Sequence, residues 1–291
     1  MKSSTIRTLL GASLLLFSLW LTQSAAASST PLPEKTPILL PSTFPQNRSL
    51  KAENDLSFLT GPNSGDPLTI ALDFFRAHKT ELGLTASDTI ELLVTDQYTS
   101  EHTGTTHIYL RQQWQGLPVA DTLTSINIAA DGQVVNLYTN FVANLEARIV
   151  SQTPQLTAGQ AVHAAATALG LVITDPLVIQ DNIGGLAQAV VFSHGGISLQ
   201  PIPVRQVYQP VAGGSVHLAW AVEIYELSSQ HWWNIRVDAA TGEALAQNDY
   251  VVNENGGESD HAAAFPPAAF QPAAPPTPKP TATPSPPAPA S

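Results

Sequence analysis

The chain has 291 residues, no cysteine, 12 Lys and Arg against 23 Asp and Glu, and a formal net charge of −11 with histidine neutral. Disulfides and a lipid-modified N-terminal cysteine are therefore excluded, and stability must come from burial and hydrogen bonding. An acidic surface repels nucleic acid and anionic membranes, which removes both as partners, and it suits a cationic or metal-bearing partner as well as plain solubility.

Residues 1–27 read as a signal peptide: Lys2 and Arg7, an apolar run from Leu9 to Leu21, then Ala25-Ala26-Ala27, with cleavage expected after Ala27. The run is shorter than the ~20 residues that span a bilayer. Export follows, to the medium or a bacterial cell envelope, and leaves 10 basic against 23 acidic residues. Residues 28–65 are rich in Pro, Ser, Thr and Asn with little periodicity and are expected to form an irregular lead-in.

An α+β region of two units is expected over 66–150 and 151–252, because an internal echo organises it. Asp66 and Pro67 start a helix that places Leu68, Ala71, Leu72, Phe75 and Leu82 on one face and stops at Gly83. The second copy starts at Thr157, carries Ala161, Val162, Ala165 and Leu169, and stops at Gly170. Each helix is followed by strand candidates: 90–97, 107–114, 122–129 and 133–141, then 177–181, 187–193, 204–209, 217–225, 232–237 and 243–252. Each set closes on a hairpin with a turn glycine, Gly132 and Gly242. From helix stop to turn the spacing is 49 residues in the first copy and 72 in the second, so the second carries an insertion, placed within 184–214. A helix followed by an antiparallel meander gives a sheet packed on one helix, twice. Residues 253–291 hold eleven prolines between Pro266 and Pro289 and are expected to be a disordered Pro/Ala/Thr tail.

Chemistry is sparse. A zinc hydrolase of the His-Glu-x-x-His type needs two imidazoles one helical turn apart with a carboxylate between them. The eight histidines include no such pair, and none is followed by Glu. There is no Gly-x-Ser-x-Gly elbow and no Gly-rich phosphate loop before a helix. Glu101, His102 and His107 have suitable chemistry for a metal, but Gly104 marks a hairpin tip between them, and a solvated turn is the expected reading. No catalytic residue, cofactor or metal ligand is assigned.

Two stretches carry a resemblance. Val94-Thr95-Asp96-Gln97-Tyr98-Thr99-Ser100-Glu101-His102 leads into Thr106-His107-Ile108-Tyr109-Leu110-Arg111-Gln112-Gln113-Trp114-Gln115-Gly116-Leu117-Pro118-Val119. Near the end stands His231-Trp232-Trp233-Asn234-Ile235-Arg236-Val237-Asp238-Ala239-Ala240-Thr241-Gly242-Glu243. The first resembles the fungalysin/thermolysin propeptide (FTP) module, with Gln113, Gly116, Pro118 and Val119 at the positions of its Gln-x-x-Gly-x-Pro-Val turn. The second unit resembles the PepSY-like half of the same prodomains, and its Trp-Trp segment resembles their closing hairpin.

The resemblance implies two cystatin-like folds that inhibit a fungalysin-like zinc metalloprotease and help it to fold. The catalytic domain itself is absent from these residues, so the expectation is a non-catalytic prodomain acting in trans or belonging to a longer zymogen. The alternative is an exported adhesion or binding module carried on the Pro-rich stalk. Trp232 and Trp233 are adjacent in a strand and point to opposite faces, one into the core and the other either half-covered or on a partner. The expected partner surface is His231, Trp233, Asp249 and Glu254, where a partly exposed indole anchors docking and acids approach a metal-centred cleft.

Overall fold

The computed structural model describes residues 47–52 and 58–251. The expected signal peptide, most of the lead-in, Glu254 and the Pro-rich tail lie outside the described residues. The described residues fall in one compact unit. They form two antiparallel sheets, each with a helix on one face.

The first sheet has the order β1-β6-β5-β3-β2 with β4 paired to β3. Its strands are β1 (Arg48–Lys51), β2 (Leu92–Thr99), β3 (Thr106–Trp114), β4 (Leu117–Pro118), β5 (Thr124–Ile128) and β6 (Val134–Thr139). Period-two alternation in β3 and β5 puts Ile108, Leu110, Ile126 and Ile128 on the inner face, all fully buried. Helix α1 (Pro67–Ala77) lays Ile70, Ala71, Phe74 and Phe75 on them. Asp66 caps it by accepting from the Thr69 N–H at 3.0 Å, with Pro67 at the first turn as expected.

The helix ends one turn earlier than the sequence predicts. His78 closes it, its Nδ1 2.9 Å from the Phe74 carbonyl, and Leu82 reaches the core from the following turn. The buried stripe is consequently rotated: Phe74 and Ile70 are inside, while Leu68 and Leu72 are half-buried at its margin. The lead-in also contributes a strand. β1 is too short to show a period, and Arg48 anchors it by donating to the carbonyls of Leu82 and Phe141.

Helix α3 (Ala158–Leu169) opens the second half. The helix starts at Thr157 and ends at Gly170, φ 64°, as the sequence predicts, and Thr157 forms with Gln160 a reciprocal capping box beyond that expectation. The second sheet is a six-stranded meander, β12-β11-β10-β9-β8-β7. Its strands are β7 (Ile179–Gly184), β8 (Ala189–Phe192), β9 (Ile202–Pro210), β10 (Val216–Tyr225), β11 (Trp232–Asp238) and β12 (Ala244–Asp249). Matching the closing hairpins β5–β6 and β11–β12 leaves β7 and β8 without counterparts, so the extra length is this added hairpin and the 193–201 connection.

A one-turn helix, α2 (Leu145–Arg148), joins the halves and is fixed by two buried polar groups. The Asp88 carboxylate accepts from the N–H groups of Thr85, Asn144 and Leu145 at 2.8–2.9 Å. The Gln112 amide exchanges a pair of hydrogen bonds with the Val142 backbone at 2.8 and 2.9 Å. Each satisfies donors that would otherwise be orphaned inside the protein.

Candidate functional site

The Gln-x-x-Gly-x-Pro-Val stretch proves to be a joint. Gln115 and Gly116 both have positive φ (49° and 76°), which fits a two-residue type I′ turn between β3 and β4. The turn sends Val119 and Ala120 onto the second sheet. Val119 forms a parallel bridge with Tyr208 of β9, and the Ala120 N–H donates to the Tyr208 carbonyl at 2.7 Å. Leu117 and Val119, together with Val142 and Leu145, are buried in the core beneath α3, although they precede it in sequence.

Asp121 follows in a left-handed conformation (φ 57°) and supplies the polar half of this joint. Its Oδ2 lies 2.8 Å from Arg236 Nη2, a pair separated by 115 residues. Arg236 is only 4% exposed along its side chain and donates also to Gln209 Oε1 at 2.8 Å and the Asn234 carbonyl at 2.9 Å. Gln209 Nε2 returns to Asp121 Oδ2 at 3.1 Å. A guanidinium so deeply buried is tolerable only with its donors matched. Nothing in the sequence marks Arg236 as more than a strand-surface charge, because its partner is brought near only by the joint.

The expected partner residues do meet, at the edge where β11 begins. His231 Nδ1 lies 2.6 Å from Asp249 Oδ2, and Asp249 Oδ1 accepts from the Trp232 N–H at 2.9 Å. His231 stacks on Trp233 with centroids 4.8 Å apart. The two indoles face opposite ways, as adjacency in a strand requires. Trp233 packs on the second core with its N–H on Glu226 Oε1 at 2.7 Å. Trp232 lies between Tyr225 and Tyr250 on the other face. Both are half-buried, so what reaches solvent is the rim of a stacked cluster. Glu254 lies outside the described residues.

One arrangement that the sequence does not reveal is a Ser-His-Asp chain. Ser215 Oγ is 3.1 Å from His217 Nε2, and His217 Nδ1 is 2.7 Å from Asp238 Oδ2. Residues 215 and 217 share a strand face, and β11 brings Asp238 alongside, a juxtaposition legible only once the register is known. The connectivity matches a nucleophile, base and orienting acid. The surroundings do not: Asp238 Oδ1 is occupied by the Ala240 and Thr241 N–H groups, so the carboxylate organises the β11–β12 turn. Burial pushes that carboxyl up, but the His217 contact and the two backbone N–H groups outweigh it and hold it below its ordinary value. A cleft lies elsewhere, between the α3 N-terminus and the β7–β8 hairpin, and its lining includes Thr157, Asn182 and Trp220 but no titratable side chain.

The remaining histidine candidates are dispersed. Glu101 and His102 are exposed at the β2–β3 tip, whereas His107 lies within β3, stacked on Tyr98 and 2.6 Å from Asn127 Oδ1. Among the described residues no three His, Asp or Glu side chains converge on a metal position.

The Fungalysin/Thermolysin Propeptide Motif matches residues 91–141, from the start of β2 through β6. An extracellular metalloproteinase, mep, of Aspergillus niger is 26% identical over 164 residues, 55% of this chain and 25% of that protein. The chain thus spans about a quarter of the length of this relative. The solved Bacillus megaterium YpeB C-terminal domain aligns at 12% identity with a TM-score of 0.33, covering 69% of this chain and 70% of that one, a likeness too slight to carry an argument. By the motif on β2 to β6, the chain is recognised as resembling a propeptide of the fungalysin/thermolysin kind.

Proposed function

We propose that the chain is an exported, non-catalytic prodomain that binds, inhibits and assists the folding of a fungalysin-like zinc metallopeptidase. The observation that carries this reading is the propeptide motif on residues 91–141. Its relative is named as an extracellular metalloproteinase, and the 291 residues here contain no His-Glu-x-x-His sequence. A template of this kind works by a complementary surface buried on the enzyme, without chemistry of its own. The cluster of His231, Trp233 and Asp249 is the surface we assign to that contact, and Glu254, which follows in sequence, is assigned to the same contact. A stacked imidazole and indole held by Glu226 and Asp249 form a preorganised anchor that loses little side-chain freedom on docking.

The test is a titration of a fungalysin-like protease from the same source with the full chain and with the variant Trp233→Ala. Saturable inhibition is expected, weakened by about tenfold or more in the variant, the loss typical of an aromatic anchor. Near-UV circular dichroism checks that the variant is folded. Absence of binding at micromolar concentration, with binding to a cell-surface glycan instead, would replace the prodomain by an adhesion module.

A further inference from the structure

The joint between the halves holds more positive charge than it neutralises. Ala221 of β10 pairs with Arg205 of β9 on one side and Arg236 of β11 on the other, so the three form one cross-strand row. The two arginine backbones stand roughly 10 Å apart with a methyl between them. Arg111 reaches the same place from β3, since Arg205, Arg236, Asp121 and Tyr250 all act on its charge. Two carboxylates serve the three guanidinium groups, and both are taken. Glu223 Oε1 pairs with Arg205 at 3.1 Å and Asp121 Oδ2 with Arg236 at 2.8 Å.

Arg111 is the remainder. Its Nε is fully buried with no hydrogen-bond partner, and among the described residues none bonds its guanidinium. Burial and the neighbouring Arg205 push it below the ordinary guanidinium range, yet an arginine does not lose its proton in a protein. Arg111 is half-buried, and a guanidinium partly withdrawn from water without a direct partner gains from any acid that reaches it. The site is not sealed: the Arg205 side chain is 28% exposed and that of Asp121 40%.

We propose that Arg111 and Arg205 form a carboxylate-binding site at the joint between the halves. A carboxylate there takes the planar fork of Arg111 on both oxygens and restores charge balance at the joint. Two sources supply that chemistry: a carboxylate ligand or partner side chain from outside, or the acids Glu254, Glu258 and Asp260, which follow Tyr250 in sequence. Tyr250 itself accepts from Asn234 Nδ2 at 2.5 Å, beside Arg236. The inference does not depend on the prodomain reading.

The experiment is thermal unfolding of the full chain in increasing citrate, against sodium chloride at equal ionic strength. Two forms are compared, the unsubstituted chain and one carrying Glu254→Gln, Glu258→Gln and Asp260→Asn. A saturable rise in Tm in the unsubstituted chain assigns the carboxylate to an outside source. A rise only in the neutralised chain assigns it to the chain's own acids. In either case Arg111→Gln should weaken the citrate response by about tenfold or more, and Arg111→Lys, which keeps the charge without the fork, by less. Arg205→Gln reports on the same site should Arg111→Gln fold poorly, and the exposed Arg76→Gln serves as the control that changes nothing. No citrate-specific rise in either form, or a response untouched by both arginine substitutions, overturns the proposal.

Discussion

Asp238 shows how one side chain in this protein does two jobs. One oxygen holds the His217 ring at 2.7 Å and the other caps the turn through Ala240 and Thr241 at 2.7 and 3.0 Å. Because these contacts hold the folded carboxyl below its ordinary value, the ionised form is the one that folding favours. The stability it contributes is therefore present above the unfolded value near 3.8 and is lost as pH falls through the lower folded value. Asp238→Asn should cost about 2 kcal/mol near neutrality, the range for hydrogen bonds to a charged group. Urea unfolding at pH 7 and again at pH 3 should show the gap between the two proteins closing. A gap of equal size at both values would mean that the carboxylate charge contributes nothing there. His217→Ala should leave Ser215 without its partner.

Elements were legible in the sequence where their signal was local. α3 has its cap, its apolar stripe and its stop all within 157–170, and Thr157 and Gly170 occupy the positions expected of them. Removing the cap with Thr157→Ala should cost about 1 kcal/mol, measurable as a shift in the urea midpoint, with less loss for Thr157→Ser. The ten strand candidates of the two meanders likewise became β2, β3, β5 and β6, then β7 to β12, because alternation and turn glycines sit within each strand pair. Gly132 shows why such a turn admits no substitute: at φ 81° a Cβ there would stand 1.7 Å from the Asn63 carbonyl oxygen. What stayed hidden was non-local. β1 is held by Arg48, whose contacts are with Leu82 and Phe141. The salt bridge of Asp121 to Arg236 and the chain of Ser215, His217 and Asp238 depend on strand register and on the joint, which no window of sequence contains.

At the scale of the molecule, the two helix-on-sheet halves have separate cores, but the first half supplies part of the second. Leu117, Val119, Val142 and Leu145 precede α3 in sequence, yet all lie within the cluster beneath it, and Ala120 packs on the other face of the second sheet. Two parallel bridges, Val119 to Tyr208 and Ile149 to Val216, tie the backbones, and the Asp121–Arg236 pair closes the joint. The loss of the first half would expose much of the second core, so unfolding should be a single transition. Phe75 provides the test, because it is fully buried under α1, packed edge-on against Phe141 at 5.5 Å, and belongs to the first core alone. Phe75→Ala should cost about 3 to 5 kcal/mol. The reporters are Trp220, Trp232 and Trp233, all in the second sheet, in a background carrying Trp20→Phe and Trp114→Phe so that no indole of β3 contributes. If the halves are coupled, their fluorescence transition in urea should move to lower concentration together with the far-UV circular dichroism, by the same increment. A fluorescence midpoint that stays in place while the dichroism splits into two steps would mean that the shared residues add contact without cooperativity.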